Sequence, residues 1–336
     1  MVYIPNLLEE RRIFEWAGLG FSQEDCYLLQ KNLKKLAKDS EAKNGIKLWG
    51  VIYGTQKNYI IIEGYTDQTA EKTEGDPNPE IETKGSGTNV FSYWVTDRID
   101  GTFVLLPEVT PLQIREARNI KHIFTGNLEE EIISNPHFHG KEKHYLRAQI
   151  ARIAHATTII PKNLYKVKED EKKEIEPEEE EKAKIPPFEE LTLLSNWCHF
   201  PPSILKCGRT AHMQPEAKEG VDPEEQMKQL VAKEPYDRLK SLSADEKSTW
   251  SVRIYGDTCR YKDIRKKNTY VNYGLISLKS LVWPGMTTMF TGNKYISMYV
   301  GSGLKEEVKT YYPIFPPKIL PEPDDEKSVE FPEVYK

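Results

Sequence analysis

Hydrophobic residues recur at helical spacing early in the chain and at strand spacing soon afterwards. Cys26, Leu29, Leu33, Leu36 and Ala37 fall on one face of a 3.6-residue repeat. Ser22 precedes that run, with Phe21 and Cys26 at hydrophobic-staple positions. Lys31, Lys34, Lys35 and Lys38 gather toward its end, where cations complement the helix dipole. The pattern predicts a helix over 23–38. Asn6, three residues before Glu9, has capping-box spacing and opens an earlier helix. The period then changes. Residues 47–53 (KLWGVIY) and 59–65 (YIIIEGY) are β-branched and aromatic, and 54–58 between them reads as a hairpin loop. Residues 66–89 are polar and read as an exposed loop. Strand character resumes at 91–96 (FSYWVT), and the Asp100-Gly101 turn leads into 103–106.

A second helical region opens at Thr110-Pro111-Leu112-Gln113, which combines an N-cap, proline at the first helical position and Gln at the capping-box position. Leu112, Ala117, Ile120, Ile123 and Phe124 are its expected buried stripe, with Gly126 as terminator. A further helix is predicted over 142–157, with Leu146, Ile150, Ile153 and Ala154 inward and Arg147 and Arg152 off that stripe. Residues 168–184 hold nine acids and five lysines, and Ile175 is the one large apolar side chain among them. Such a block buries too little to offset ordering entropy and reads as a solvated linker. Beyond it, a short helix starts at Asp222-Pro223-Glu224-Glu225, and strands are expected at 250–255, 269–278, 286–290 and 295–301. From Tyr311 onward the density of proline argues for an extended tail lying over a surface.

These elements make an α+β protein, with N-terminal helices and a mixed helix and hairpin region, then a β-rich C-terminal half and the proline-rich tail. The expected division is an α+β unit over 1–166, an acidic flexible linker over 167–186, a β-rich unit over 187–310 and the tail over 311–336.

Composition narrows the function. At ~150 residues per domain, 336 residues correspond to about two domains, and 38% hydrophobic residues supply a sizeable core. Lys and Arg total 47 against 52 Asp and Glu, a net charge of −5, which argues against a general nucleic-acid binder. No apolar run approaches the ~18 residues that cross a bilayer, and the first residues do not read as a signal peptide. Cys26, Cys198, Cys207 and Cys259 include no CxxC pair, so free thiols in a reducing compartment are expected. The sum is a soluble intracellular protein.

Chemical motifs are sparse. The Gly-x-Gly triplets at 18–20, 85–87 and 301–303 lack the third glycine of a dinucleotide fingerprint, and none continues into a P-loop. They read as turn and cap glycines. His137, His139 and His144 form one loose group of metal-ligand types, and Cys198, His199, Cys207 and His212 another. Neither has the paired spacing of a zinc site, so satisfied or solvent-facing side chains are the ordinary reading. No nucleophile elbow is present. No cofactor is expected. Trp16, Trp49, Trp94, Trp197, Trp250 and Trp283 read first as core, with anchors for partner proteins as the functional alternative.

Longer blocks carry more. Pro5-Asn6-Leu7-Leu8-Glu9-Glu10, Phe14-Glu15-Trp16-Ala17-Gly18, Trp49-Gly50, Lys57-Asn58-Tyr59 and Tyr93-Trp94-Val95 come first. They are followed by Leu106-Pro107-Glu108-Val109-Thr110-Pro111 and by the YLRAQIARI stretch at 145–153. Trp197, His199, Pro202, Ile204, Leu205, Gly208 and Arg209 make a later block, and Trp283-Pro284-Gly285 and Tyr299-Val300-Gly301-Ser302-Gly303 complete the series. With these blocks the chain resembles the radial spoke head proteins of the 4/6 family, structural subunits of motile cilia and flagella. Many members carry a longer N-terminal extension and a longer glutamate-rich tail, whose roles do not carry over.

The resemblance implies a non-enzymatic protein of the axoneme that scaffolds the spoke head and passes mechanical signals between the central pair apparatus and the dynein arms. It implies contact with other spoke head subunits, spoke stalk proteins and central pair projections, and a dimer with itself or a close paralogue. Nucleic acid and membrane are not expected partners. Trp49, Tyr93, Trp94, Arg147, Arg152, Trp197, His199, Arg209 and Trp283 are the candidate assembly or motif residues. Arg147 and Arg152 are expected to pair with carboxylates, within the fold or across a subunit boundary. The acidic stretch is expected to be a spacer, with a charge-tuned contact to the central apparatus as its alternative. Rival readings are a cytosolic adaptor or assembly factor of the same fold, and a metal-dependent hydrolase using the His137, His139 and His144 group.

Overall fold

Asn6 and Ser22 each accept a backbone N–H at the head of a helix. In the computed structural model, α1 (Leu7–Glu15) begins where Asn6 Oδ1 accepts from Leu8 N at 3.2 Å, and α2 (Gln23–Asp39) where Ser22 Oγ accepts from Asp25 N at 3.1 Å. Cys26, Leu29, Leu33 and Leu36 form the buried face of α2, the stripe read from the sequence. The structure describes residues 3–40, 45–65, 82–168, 175–179, 183–200, 204–213, 222–235, 239–246, 249–256, 260–262, 270–272, 274–292 and 294–306. The proline-rich tail and most of the 66–89 loop lie outside the described residues.

The first hairpins follow as β1 (Gly45–Ile52), β2 (Tyr59–Tyr65), β3 (Phe91–Thr96) and β4 (Val104–Leu105), an antiparallel meander. Next come α3 (Pro111–Asn119), α4 (Glu142–Thr157), and the short strands β5 (Ile159–Pro161), β6 (Tyr165–Val167), β7 (Ile175–Pro177) and β8 (Trp197–His199). The chain continues through α5 (Pro223–Lys233), β9 (Trp250–Tyr255), β10 (Arg260–Lys262), β11 (Tyr270–Asn272), β12 (Leu275–Ser280), β13 (Met286–Thr291) and β14 (Lys294–Gly301).

One eight-stranded sheet organises all of this, in the order β4-β3-β2-β1-β14-β13-β12-β9. Its strands come from both sides of residues 167–186, so the boundary placed there does not separate two sheets. The join is the sheet's parallel pair, β1 with β14, in the register Gly50 to Tyr299, Val51 to Val300 and Ile52 to Gly301. Here glycine is required. Gly50 has φ +154°, and a Cβ on it would lie 2.0 Å from the Tyr299 carbonyl oxygen. The β1–β2 register shifts between Leu48 and Gly50, a bulge at Trp49.

Both faces of the sheet are covered. On one, Ile46, Val51, Ile60, Ile62 and Trp94 pack with Leu7 of α1 and the buried face of α2. On the other, Trp49, Ile52, Tyr59, Ile61, Tyr93 and Tyr299 pack with α3 and α4. Near the β9 end, Trp250, Ile276, Leu278 and Phe290 enclose Ile159, Leu191, Trp197 and Leu242. The architecture is α+β.

Several expectations change. The capping box of Thr110 and Gln113 is present, but α3 ends at Asn119 because Ile120 is extended (φ −121°, ψ 152°). Its inward residues are therefore Gln113, Ile114 and Ala117, while Leu112 and Ile123 face solvent. Ile120 and Phe124 are buried, from the extended segment beyond the helix. The described end of the 66–89 loop is not exposed either, since Glu82, Thr88 and Asn89 are buried. The strand expected over 269–278 is β11 and β12, and residues 175–177 of the acidic stretch pair as a ribbon with residues 165–167 before it, with Lys166 Nζ 3.5 Å from Glu176.

Candidate functional site

α4 is the hub of the molecule. Nearly every residue from Tyr145 to Ile153 is buried, Arg147 among them, because the helix is covered by the sheet, α3 and the 82–89 segment. Arg147 NH2 donates to the Thr88 carbonyl at 2.9 Å and to Asn89 Oδ1 at 3.1 Å, and its guanidinium lies 4.7 Å from the centre of the Tyr93 ring. Tyr93 OH donates to Glu63 at 3.1 Å, and Glu63 pairs with Lys47 at 2.9 Å. Burial is the main cause lifting the Tyr93 phenol well above its ordinary pKa, with the Glu63 charge next. Trp49 stacks on Tyr299 (centroids 5.3 Å apart) and meets Tyr93 edge-on at 6.4 Å. A polar path thus runs across β1, β2 and β3 from the exposed Lys47 through buried Glu63, Tyr93 and Arg147 to the 82–89 segment.

Arg152 projects beside this path into an open cleft. Its NH1 donates to the Ala117 carbonyl at 2.5 Å and to Gln149 Oε1 at 2.7 Å, and its guanidinium sits 5.2 Å from the Trp283 ring centre. Burial lowers its pKa to about 10. Among the described residues neither Arg147 nor Arg152 forms an ion pair with a carboxylate; carbonyls, amides and rings meet them instead. A guanidinium presents planar N–H donors and an aromatic-stacking face, so an interior can hold it without a counter-charge at contact, although Arg147 NH1 is buried with no hydrogen-bond partner among the described residues. This corrects the expected carboxylate pairing within the fold, as far as the described residues go.

On the far side of the cleft, His199 Nε2 lies 2.7 Å from Asp245 Oδ2, which also accepts from Trp250 Nε1 at 2.9 Å. Burial pushes the Asp245 carboxyl up, but the His199 and Trp250 hydrogen bonds outweigh it and hold the pKa below its ordinary value. Trp197 is fully buried, its Nε1 donating to the Leu191 carbonyl at 2.9 Å. Arg209 is half-buried in a turn where Leu205 N donates to its carbonyl at 2.7 Å.

Trp49, Tyr93, Trp94, Arg147, Trp197 and Trp283 are thus consumed by the fold and are not exposed as anchors; Arg152, His199 and Arg209 are half-buried. Trp16, by contrast, is 55% exposed. The histidine group does not converge on one point. His139 pairs with Glu116, while His144 Nδ1 accepts from Lys141 N at 3.0 Å. Among the described residues no three His, Cys, Asp or Glu side chains converge as metal ligands.

Two carboxylates escaped the sequence reading. Glu142, fully buried at the start of α4, accepts from Tyr59 OH at 2.6 Å, Thr125 Oγ1 at 2.8 Å, Gly126 N at 2.9 Å and Thr125 N at 3.0 Å, with His122 Nε2 at 3.3 Å. Glu82 takes both polar hydrogens of Thr88 and of Thr210, tying residues 128 positions apart. Capping-box spacing flagged neither.

The blocks that carried the resemblance thus include α1, the hub helix and the β1–β14 junction. A family model described as "Radial spokehead-like protein" matches residues 2–81 and 66–333. The chain belongs to this family. It is 30% identical to mouse "Radial spoke head protein 6 homolog A" over 95% of this chain and 52% of that protein. Human "Radial spoke head protein 4 homolog A" is 29% identical over 95% of this chain and 50% of its own length. "Flagellar radial spoke protein 4" of Chlamydomonas reinhardtii is 28% identical, with 94% and 70% covered. The chain spans about half the length of the mouse and human relatives. Membership of the radial spokehead-like family extends across both halves of the sheet.

Proposed function

We propose that the protein is a non-enzymatic structural subunit of the radial spoke head in the axoneme of motile cilia or flagella. Its work is to scaffold the head, in contact with other head subunits and stalk proteins and paired with itself or a close paralogue. It passes mechanical signals from central pair projections toward the dynein arms. The observation that carries this reading is the relationship to spoke head proteins along 95% of the chain.

The internal construction supports it. A part that transmits force gains from a sheet continuous across the chain and from a buried helix cross-tied to it, and it needs no catalytic cleft. The nine candidate residues serve by holding that body together, so their effect on assembly runs through stability. Salt extraction of isolated axonemes tests the reading. The protein should remain with the spokes at a salt concentration that removes soluble adaptors, and cells lacking it should lose spoke head density and beat abnormally. Release in low salt, or normal beating with intact spoke heads in its absence, would reject it in favour of a cytosolic adaptor or assembly factor.

A further inference from the structure

The outer face of α2 carries a stripe of cations. Cys26, Leu29, Leu33 and Leu36 of this helix are buried toward the sheet. At about 100° per residue, Lys31, Lys34, Lys35 and Lys38 fall on the opposite side, and all four are exposed. They stand at i, i+3, i+4 and i+7, so they form one row about 10 Å long. Tyr27, 63% exposed, and Leu28, 38% exposed, continue the same face toward the helix N-terminus.

Among the described residues none of the four lysines forms an ion pair, although carboxylates lie on every side. Within α2, Glu24 and Asp25 stand in the first turn and Asp39 closes the helix, with Asp25 taking the Ser22 hydroxyl at 2.7 Å. The neighbouring α1 carries Glu9, Glu10 and Glu15, of which Glu15 is held by Arg11 at 3.5 Å and Glu10 is drawn to Lys47 and Lys294. On the other flank, Asn32 Nδ2 donates to the carbonyls of Ile99 at 3.1 Å and Gly101 at 2.8 Å. That turn brings Asp97, paired with Lys57 at 2.6 Å, and Asp100, paired with Arg98 at 3.1 Å. The row therefore keeps its charge. Lys31 repels Lys34 and Lys35, and Lys38 repels the same two, which disfavours the free helix. The helix dipole offsets part of this in the last turn alone. A bound anion would remove the rest.

We propose that this face binds a short acidic segment of a partner polypeptide, with about four carboxylates over the lysine row and apolar side chains against Tyr27 and Leu28. The acids at both ends of α2 limit the length of anion the row accepts, which disfavours nucleic acid, as does the chain's net charge of −5. The apolar side of α2 is occupied by the sheet and cannot enter lipid, which disfavours a membrane surface. The inference stands on the charge and exposure of α2 and does not depend on the proposed cellular role.

The probe is a fluorescein-labelled peptide with four consecutive glutamates and one leucine between glycine–serine ends. Carbodiimide coupling to the full-length protein in low salt should join its carboxylates to Lys31, Lys34, Lys35 or Lys38 in preference to the other exposed lysines, mapped by mass spectrometry. In fluorescence anisotropy the variant Lys31→Gln, Lys34→Gln, Lys35→Gln, Lys38→Gln should raise the Kd roughly tenfold. Glutamine keeps the helix propensity, so far-UV circular dichroism should not change. The control variant Lys121→Gln, Lys305→Gln removes two exposed lysines elsewhere and should leave the Kd unchanged. Cross-links spread evenly over the exposed lysines, absence of cross-linking, or equal weakening by the control variant would each overturn the proposal. So would lysine-dependent binding to phosphatidylserine vesicles or to a single-stranded oligonucleotide tighter than to the peptide. The cross-link map needs only the unmodified protein, so it decides the matter even if the fourfold variant fails to fold.

Discussion

Replacing Glu142 by Gln removes a buried anion while keeping the side chain's shape. The carboxylate is fully buried yet accepts from Tyr59, Thr125 and Gly126 and faces His122. Burial alone raises its pKa. The hydrogen bonds from His122 and Tyr59 and from the Thr125 and Gly126 backbone reverse that and bring it to about 2, against an ordinary 4.5. Because the folded value lies below the unfolded one, the stabilisation is fully present above the ordinary value and is lost as pH falls toward 2. The gap is worth about 3 kcal/mol at pH 7, of which about 2 kcal/mol should be gone by pH 3. A glutamine keeps one acceptor but turns an NH2 toward N–H and O–H donors, so Glu142→Gln should cost about 2–4 kcal/mol at neutral pH.

The assay is urea denaturation of both proteins at pH 7 and pH 3. Other carboxylates titrate too, Asp245 among them, so the informative quantity is the difference between wild type and variant at each pH. That difference should shrink by about 2 kcal/mol on acidification. An equal difference at both pH values would mean that Glu142 is not held as an anion by these donors, and the reasoning would fail.

Two further substitutions probe the frame. Gly50→Ala places a methyl against the Tyr299 carbonyl at the β1–β14 join, and the clash should cost about 3 kcal/mol or more, read as a drop in melting temperature or in soluble yield. A variant with wild-type melting would show that the two halves need not approach so closely. Arg147→Ala opens a cavity under Tyr93 and strips donors from Thr88 and Asn89, and should cost about 3–5 kcal/mol in urea denaturation of the isolated chain. If stability held and only assembly suffered, Arg147 would be an interface residue after all.

Local order was readable in the sequence wherever one short-range signal governed it. Ser22, Thr110 and Asp222 mark helix starts through bonds made within three residues, and all three cap as their positions predict. The strand at 250–255 likewise matches its β-rich run. What escaped depends on partners far along the chain. Nothing near Arg147 announces Tyr93 or Asn89, and nothing near Glu82 announces Thr210, so the arginine was expected to pair with a carboxylate and Glu82 read as part of a polar loop. The α4 stripe was too narrow for the same reason, since a helix enclosed on several sides has no polar face for periodicity to reveal. The tryptophans were read first as core, and six of the nine candidate assembly or motif residues (Trp49, Tyr93, Trp94, Arg147, Trp197 and Trp283) are internal because side chains large enough to anchor a partner also fill a sheet–helix interior well.

The division near residue 170 follows from the same limit. Composition marks where a chain is polar, and the stretch 168–184 is polar, but composition is silent on whether strands before and after it find each other. Here β1 and β14 pair in parallel across about 250 residues, and parallel neighbours require a long connection by geometry. Everything from β2 to β13 is that connection. The sheet therefore closes only when the chain's last described strand docks on its first, and α4, lying against β1, β3 and β14 residues at once, is the element positioned to guide that closure. Pairing at such a sequence separation must offset the closure entropy of the whole connection, which favours slow folding. It also means that the strands of the two halves are joined within the sheet by the β1–β14 pair, beside Gly50 and Tyr299.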